Sequence, residues 1–442
     1  MHENIYLERP QKMSNTANPY NLSVVEALNL IDKRALSSRE WITSCLERIS
    51  QREPKVHAFV NINTRVLEEL DKLNDIGVGP SIPVGVKDII DVRGLPTMMG
   101  TNFHDNRPVS RDAGSVAIMR EAGCIVVGKT VTTELGHKHP GPTRNPHALN
   151  HTPGGSSSGS AAAVADSMIP VSLGTQTTGS IIRPAAYCGI IGYKPTYNDF
   201  DKSGILPNSP SIDTLGILTR TVKDTHYFRQ ILLEEPYYVL QPRTLSGLHF
   251  GFLKGPLWLE AETEVQNLIA NHVDALARKG AKITELSLEN EINKLLELHR
   301  LISGYEFRRS IADERVNHEN KLSRVLREGR LADGHTTTNQ EYQMAIKELT
   351  HVKLALGKIF LEIDILVMPS AKGAALPTLK ETGDPIFNSV WSISGNPSIT
   401  LPLFNAKESN LPIGCQFVSD FSNDNILLEA AETIMLEFVS PS

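Results

Sequence analysis

One lysine and two serine-bearing loops carry the residue types for nucleophilic chemistry in this chain. Ser156, Ser157 and Ser158 lie in the run Gly154–Ser160, which reads GGSSSGS, and Ser180 closes the run Gly174–Ser180, which reads GTQTTGS. A serine hydroxyl is a weak nucleophile until a neighbouring base takes its proton. Lys87 follows the apolar run Ser81–Val86 (SIPVGV), and burial there would lower its pKa and leave a usable amine base. Left in water, the same lysine is only a solvated strand end. Glycines let backbone approach backbone, and hydroxyls supply nucleophiles and hydrogen bonds. The two loops, with Ser156 and Ser180 separated by 24 residues, are able to converge on one cavity.

Other motifs compete for the same chemistry. Gly155–Gly159 matches the nucleophile elbow G-x-S-x-G with Ser157 at its centre, but that device needs a preceding strand and a later Asp and His. His226, His249, His272 and His299 are the histidines such a reading would draw on. The bland reading of GGSSSGS is a flexible linker, opposed by the apolar segments that flank it closely. Gly123–Thr130 (GCIVVGKT) satisfies the phosphate-loop pattern, yet its middle residues read as strand and a helix precedes them. His137 and His139 form an H-x-H pair without a third ligand nearby, so no metal is expected. No G-x-G-x-x-G follows a strand, and no cofactor is expected.

Bulk properties narrow the class. The 442 residues carry a net charge of −6, with 40% hydrophobic and 21% charged residues. Those are ordinary globular values, with no general attraction to nucleic acid or anionic membrane. The polar, mixed-charge N-terminal stretch is not a secretory signal, and no apolar run reaches the ~20 residues of a membrane span. Cys45, Cys124, Cys188 and Cys415 are far apart, which fits free thiols and a cytoplasmic location.

The elements that must position these residues read as follows. Residues before about Tyr20 form a tail. Ser23 with Glu26 and Ser37 with Glu40 match capping boxes, each opening a helix. Helices are expected at Gly114–Ala122, Ala161–Ala165 (capped by Ser158), from Val222, at Glu262–Lys279, Glu291–Ala312, Gln340–Ile363 and Asn425–Leu436. Strands are expected at Ser81–Val86, Cys124–Val127, Met168–Leu173, Leu215–Leu218, Leu245–Gly251, Ala281–Leu286, Ile363–Met368, Pro397–Leu403 and Gly414–Val418. Gly174–Ser180 is read as loop. Strands alternating with helices predict an α/β fold with a largely parallel or mixed sheet. The helices of about 290–362 are expected as a lid, as a partner face or as plain surface packing.

With VGVKD at Val84–Asp88, PGGSSSGSAAAVA at Pro153–Ala165 and GTQTTGSIIRPAAYCGIIGYKPT ending at Thr196, the sequence resembles the amidase signature family over nearly its whole length. The resemblance implies one α/β/α domain around a twisted mixed sheet, spanning 21–442 with core motifs at 81–220. It implies a Ser–cis-Ser–Lys triad: Ser180 as nucleophile, Ser156 as relay after a cis Gly–Ser bond, and Lys87 as base. The backbone amides of Thr177, Thr178, Gly179 and Ser180 would form the oxyanion hole. Two departures stand out. Gln176 and Thr178 occupy positions where the family often has Asp and Gly, and a Thr makes the turn bulkier. The family often places Arg two residues after the nucleophile. Here Ile182 stands there and Arg183 follows, in a strand or turn that points its charge elsewhere. The expected activity is a stand-alone amidase acting on a small carboxamide or carbamoyl compound, as a monomer or homodimer. The alternatives are the catalytic subunit of a glutamine-dependent tRNA amidotransferase and a non-catalytic binding protein.

Overall fold

The computed structural model describes residues 18–77 and 79–439, so most of the expected tail lies outside the described residues. Its last part is held: the Tyr20 amide donates to Ser44 Oγ at 3.1 Å. Eleven strands build one sheet: β1 Phe59–Ile62, β2 Ile82–Lys87, β3 Cys124–Thr130, β4 Val171–Gln176, β5 Ile191–Lys194, β6 Thr214–Thr219, β7 His249–Leu253, β8 Lys282–Leu286, β9 Ile365–Pro369, β10 Ser398–Asn405 and β11 Pro412–Ser419. Their order is β1-β3-β2-β4-β6-β5-β10-β11-β9-β7-β8. β2 runs parallel to β3 and β4, and β7 parallel to β8 and β9, while the remaining pairs are antiparallel. The fold is therefore α/β with a mixed sheet, as the alternation predicts.

Burial follows position in the sheet. Every residue of β2 and β3 is buried, as expected of strands covered on both faces. Both predicted capping boxes are present, at Ser23 with Glu26 and at Ser37 with Glu40, and they open the helices Val24–Asp32 and Ser38–Val56.

Several expectations are corrected. The strand expected at Met168–Leu173 begins after Pro170 and continues through Gly174, Thr175 and Gln176. Those residues have weak strand propensity, but β2 and β6 flank them and their backbone groups complete two ladders. The first three residues of the expected second loop are thus central strand. Ser158 does not cap its helix; it is the first residue of Ser158–Ala165, and its Oγ donates to the Gly154 carbonyl at 3.0 Å. Leu245–Gly247 is a short 3-10 turn before β7 rather than part of it. The long helix expected at Glu291–Ala312 runs Glu289–Ser310, and short helices at Ala312–Asn317, Arg324–Glu328 and Arg330–Thr336 lead to Asn339–Ile359. The expectations did not include β1, β5 or the helices Val66–Asp75, Ile182–Cys188 and Ile386–Ser394.

Candidate active site

The sheet brings Lys87 to its serines. β2 and β4 are parallel neighbours, with Val86 opposite Leu173, so Lys87 at the end of β2 stands beside the end of β4. Its ammonium group is fully buried and donates to Ser156 Oγ at 2.7 Å and to Thr175 Oγ1 at 2.8 Å. No carboxylate forms an ion pair with it among the described residues. Burial pulls its pKa down from 10.5 to about 7, and the charge of Asp213 partly opposes that shift. The solvated strand end is ruled out, because Lys87 has no exposed surface.

Ser156 is held through its neighbours. The Gly155–Ser156 peptide bond is cis. Arg183 Nη2 donates to the Gly155 carbonyl at 2.6 Å and to Thr382 Oγ1 at 3.3 Å. Arg183 was expected in a strand or turn; it sits instead in the helix Ile182–Cys188, which turns its side chain toward the Ser156 loop. Gly154 adopts φ +80°, and a Cβ there would lie 2.8 Å from Pro184 Cα, so the loop packs directly on that helix.

The segment Thr177–Ser180 is a turn whose outward groups are tied back. His299 Nε2 donates to the Thr177 carbonyl at 3.0 Å, and Ser392 Oγ donates to the Thr178 carbonyl at 2.8 Å. Ser157 N donates to the Ser180 carbonyl at 3.3 Å. Thr177 Oγ1 donates to Asp213 Oδ1 at 2.5 Å, and Arg330 Nη2 donates to Thr178 Oγ1 at 2.7 Å. The amides of Thr178, Gly179 and Ser180 have no acceptor among the described residues. A turn with carbonyls anchored and amides free is a ready acceptor of developing negative charge. Gly179 is required by space, because a Cβ there would meet Asn388 Oδ1 at 2.5 Å.

Gln176 explains one departure. Its Oε1 accepts from the amides of Ile181 at 2.9 Å and Ile182 at 3.1 Å, and its Nε2 donates to Ser392 Oγ at 3.0 Å. A neutral amide thus satisfies the first amides of the helix after Ser180 and ties the turn to Ser392.

The competing motifs come apart. Ser157 is fully buried, and its Oγ donates to the Thr175 carbonyl and accepts from the Thr175 amide, each at 3.3 Å. None of the four candidate histidines bonds to it. His226 is on the Tyr238 carbonyl, His249 on Thr284, His272 among phenylalanine rings and His299 on Thr177. Gly123–Thr130 is mostly β3, so no phosphate-wrapping loop exists there. His137 is buried against Phe307 while His139 is exposed. No group of three metal-ligating side chains occurs among the described residues.

Asp213, Arg330 and Ser392 escaped the sequence reading, and His299 entered it only as a possible partner of Ser157, not as a brace of the Ser180 turn. They come from four separate segments, and no local motif marks them. Asp213 is the most telling: it also accepts from the amides of Asn208 at 2.7 Å and Ser209 at 2.8 Å, and burial pushes its pKa up to about 6.

Known proteins share this arrangement of chain. The family profile described as Amidase matches residues 40–428. A glutamyl-tRNA(Gln) amidotransferase subunit from Halothermothrix orenii is 29% identical, covering 94% of this chain and 97% of that protein. A crystal structure of an amidase superposes with a TM-score of 0.85 at 28% identity, over 94% of this chain and 100% of the other. The native peptide amidase from Stenotrophomonas maltophilia gives a TM-score of 0.80 at 25% identity, over 96% and 98%. Lys87, Ser156 and Ser180 all fall inside the matched span, and the chain belongs to the amidase family.

Proposed function

We propose that this protein hydrolyses the C–N bond of a carboxamide or carbamoyl compound through an acyl-enzyme on Ser180. The observation that carries this reading is the buried Lys87 amine, 2.7 Å from Ser156 Oγ and with no carboxylate ion-paired to it among the described residues. With its pKa near 7, a large share of Lys87 is neutral at neutral pH. Neutral Lys87 takes the Ser156 hydroxyl proton as Ser156 takes that of Ser180. Ser180 Oγ then attacks the carbonyl carbon, and the oxyanion forms against the free amides of the Thr177–Ser180 turn. As the C–N bond breaks, the relay returns a proton to the leaving nitrogen. Water, deprotonated by the same relay, attacks the ester and releases the acid and Ser180.

A second reading rests on the amidotransferase subunit that matches nearly the whole chain. In it, the same site releases ammonia from glutamine for a partner protein. The purified chain, assayed alone for ammonia release from aliphatic, aromatic and urea-like amides, separates the two. Turnover of simple amides by the chain alone sustains the stand-alone amidase. Turnover of glutamine only after partner proteins are added sustains the subunit. No release from any amide in either setting leaves a binding protein.

A further inference from the structure

A cavity of about 120 Å³ adjoins the relay. Its walls are the end of β4, the start of β6 and the loop 202–213 that leads into β6. Thr175 and Thr177 tie it to the chemistry. Lys87 donates to Thr175 Oγ1, and Thr177 opens the turn that ends at Ser180. Most of the remaining lining is apolar, from Ile205, Leu206, Pro210 and Leu215.

The charged groups in the lining are engaged by the protein itself. Lys202 Nζ donates to the Asp213 carbonyl at 3.0 Å and to the Pro210 carbonyl at 3.3 Å. The Asp213 carboxylate accepts from Thr177 Oγ1 and from the amides of Asn208 and Ser209. One polar atom is left over: Asn208, also in the lining, keeps Oδ1 buried without a hydrogen-bond partner among the described residues. A buried acceptor is costly until a donor meets it. The direction of the reaction says what could bring one. In the proposed relay Ser156 returns its proton to the leaving nitrogen, so that nitrogen lies on the Lys87 side of Ser180. A substituent on it meets the cavity next. Ammonia alone would leave that space unfilled, and apolar cavities of ~150 Å³ hold a ring of six carbons.

We propose that this cavity receives the leaving amine, and that the preferred substrates are secondary amides whose nitrogen carries a short apolar chain ending in a hydroxyl. Ile205, Leu206 and Leu215 cover the chain, and the hydroxyl donates to Asn208 Oδ1. This rests on the amidase reading above and names its leaving-group class.

The test uses three butyramides that share the acyl group and differ only on nitrogen: N-methyl, N-butyl and N-(3-hydroxypropyl). Wild-type kcat/KM should favour the butyl over the methyl compound by roughly tenfold or more. The hydroxypropyl compound, matched in length to the butyl one, should at least equal it, because Asn208 offsets the dehydration of its hydroxyl. Leu206→Trp, which fills the cavity, should remove most of the butyl-to-methyl ratio. Asn208→Leu should drop the hydroxypropyl compound below the butyl one. A wild type that does not favour the butyl over the methyl compound would overturn the proposal. So would a hydroxypropyl compound well below the butyl one, or a butyl-to-methyl ratio unmoved by Leu206→Trp. Should Leu206→Trp fail to fold, Ile205→Phe decides by the same ratio. If the wild type turns over no amide, the amidase reading has failed, and calorimetric titration with N-(3-hydroxypropyl)butyramide decides this one separately. Binding lost in Leu206→Trp sustains it, and absent or unchanged binding overturns it.

Discussion

Replacing Lys87 by methionine should abolish turnover and relieve the fold of a pH-dependent cost. The amine is fully buried, with its pKa lowered from 10.5 to about 7, chiefly by desolvation. In the unfolded chain a lysine titrates at about 10.4. Above that pH both states are neutral and the residue carries no electrostatic cost. As pH falls toward 7, the unfolded chain gains a proton that the folded protein does not. Each pH unit then costs the folded state about 1.4 kcal/mol, reaching about 5 kcal/mol near pH 7. Below that, both states are protonated and the cost stays level. Methionine removes this cost at every pH. It also strips Ser156 and Thr175 of a hydrogen-bond donor, at roughly 1–3 kcal/mol each, and that loss does not depend on pH.

The offset between variant and wild type is therefore small or positive at pH 7, but the slope is fixed in sign. Denaturant unfolding of both proteins at pH 7, 8 and 9 measures it. The stability of Lys87→Met relative to wild type should fall by about 2 kcal/mol across that range, the slope easing toward pH 7 as the folded lysine begins to protonate. A flat difference, or one rising with pH, would mean that the lysine is charged and paired in the folded protein, and the mechanism would lose its base. The same titration should appear in the wild-type rate. Activity should be half-maximal near pH 7 and about tenfold below its plateau at pH 6.

Further outcomes follow from the same geometry. Ser180→Ala should lose ~10⁴-fold or more in kcat, Ser156→Ala should be severely impaired, and Ser157→Ala should lose less than either. A fluorophosphonate label mapped to the Ser157 peptide, with Ser180→Ala active, would refute that order. Asp213→Asn removes the charge that raises the Lys87 pKa, so the acid limb of the pH–rate profile should move below the wild-type midpoint; an unmoved or raised midpoint counts against the coupling. Dialysis against a strong chelator should leave the rate unchanged, because the proposed relay from Ser180 through Ser156 to Lys87 uses no metal. Activity lost on dialysis and restored by zinc would return attention to His137 and His139.

Much of the fold was legible where side-chain chemistry is local. The capping boxes of Ser37 and Glu40, and the apolar runs of β2 and β3, act over a few residues and read directly. The boundaries of β4 did not, because Gly174, Thr175 and Gln176 are strand only through neighbours far along the chain. The helix Ile182–Cys188 was missed for a related reason. It lacks a side-chain cap of its own, and Gln176 satisfies its first amides from β4 instead. In the candidate site, Lys87, Ser156 and Ser180 stand in motifs. The residues that brace them do not: His299 and Ser392 contact the Ser180 turn across more than a hundred residues of sequence.

The same logic explains why position past an apolar strand does not by itself identify a base. Three lysines, Lys87, Lys129 and Lys194, are fully buried at or near strand ends. Lys129 lies 3.0 Å from Asp88 Oδ1, and that carboxylate favours its charged form. Lys194 is lowered to about 7 like Lys87, by burial against the charges of Asp424 and Asp199, but it donates to the Pro195 carbonyl at 2.8 Å. A carbonyl has no proton to give, so a neutral Lys194 has nothing to deprotonate there. Lys87 forms no ion pair among the described residues and faces the hydroxyl of Ser156, in a loop whose Ser157 amide is bonded to the Ser180 carbonyl. Desolvation makes each of these lysines a weaker acid-holder than one in water. The partner of the nitrogen, set by which strands the sheet places side by side, decides which of them is poised for proton transfer.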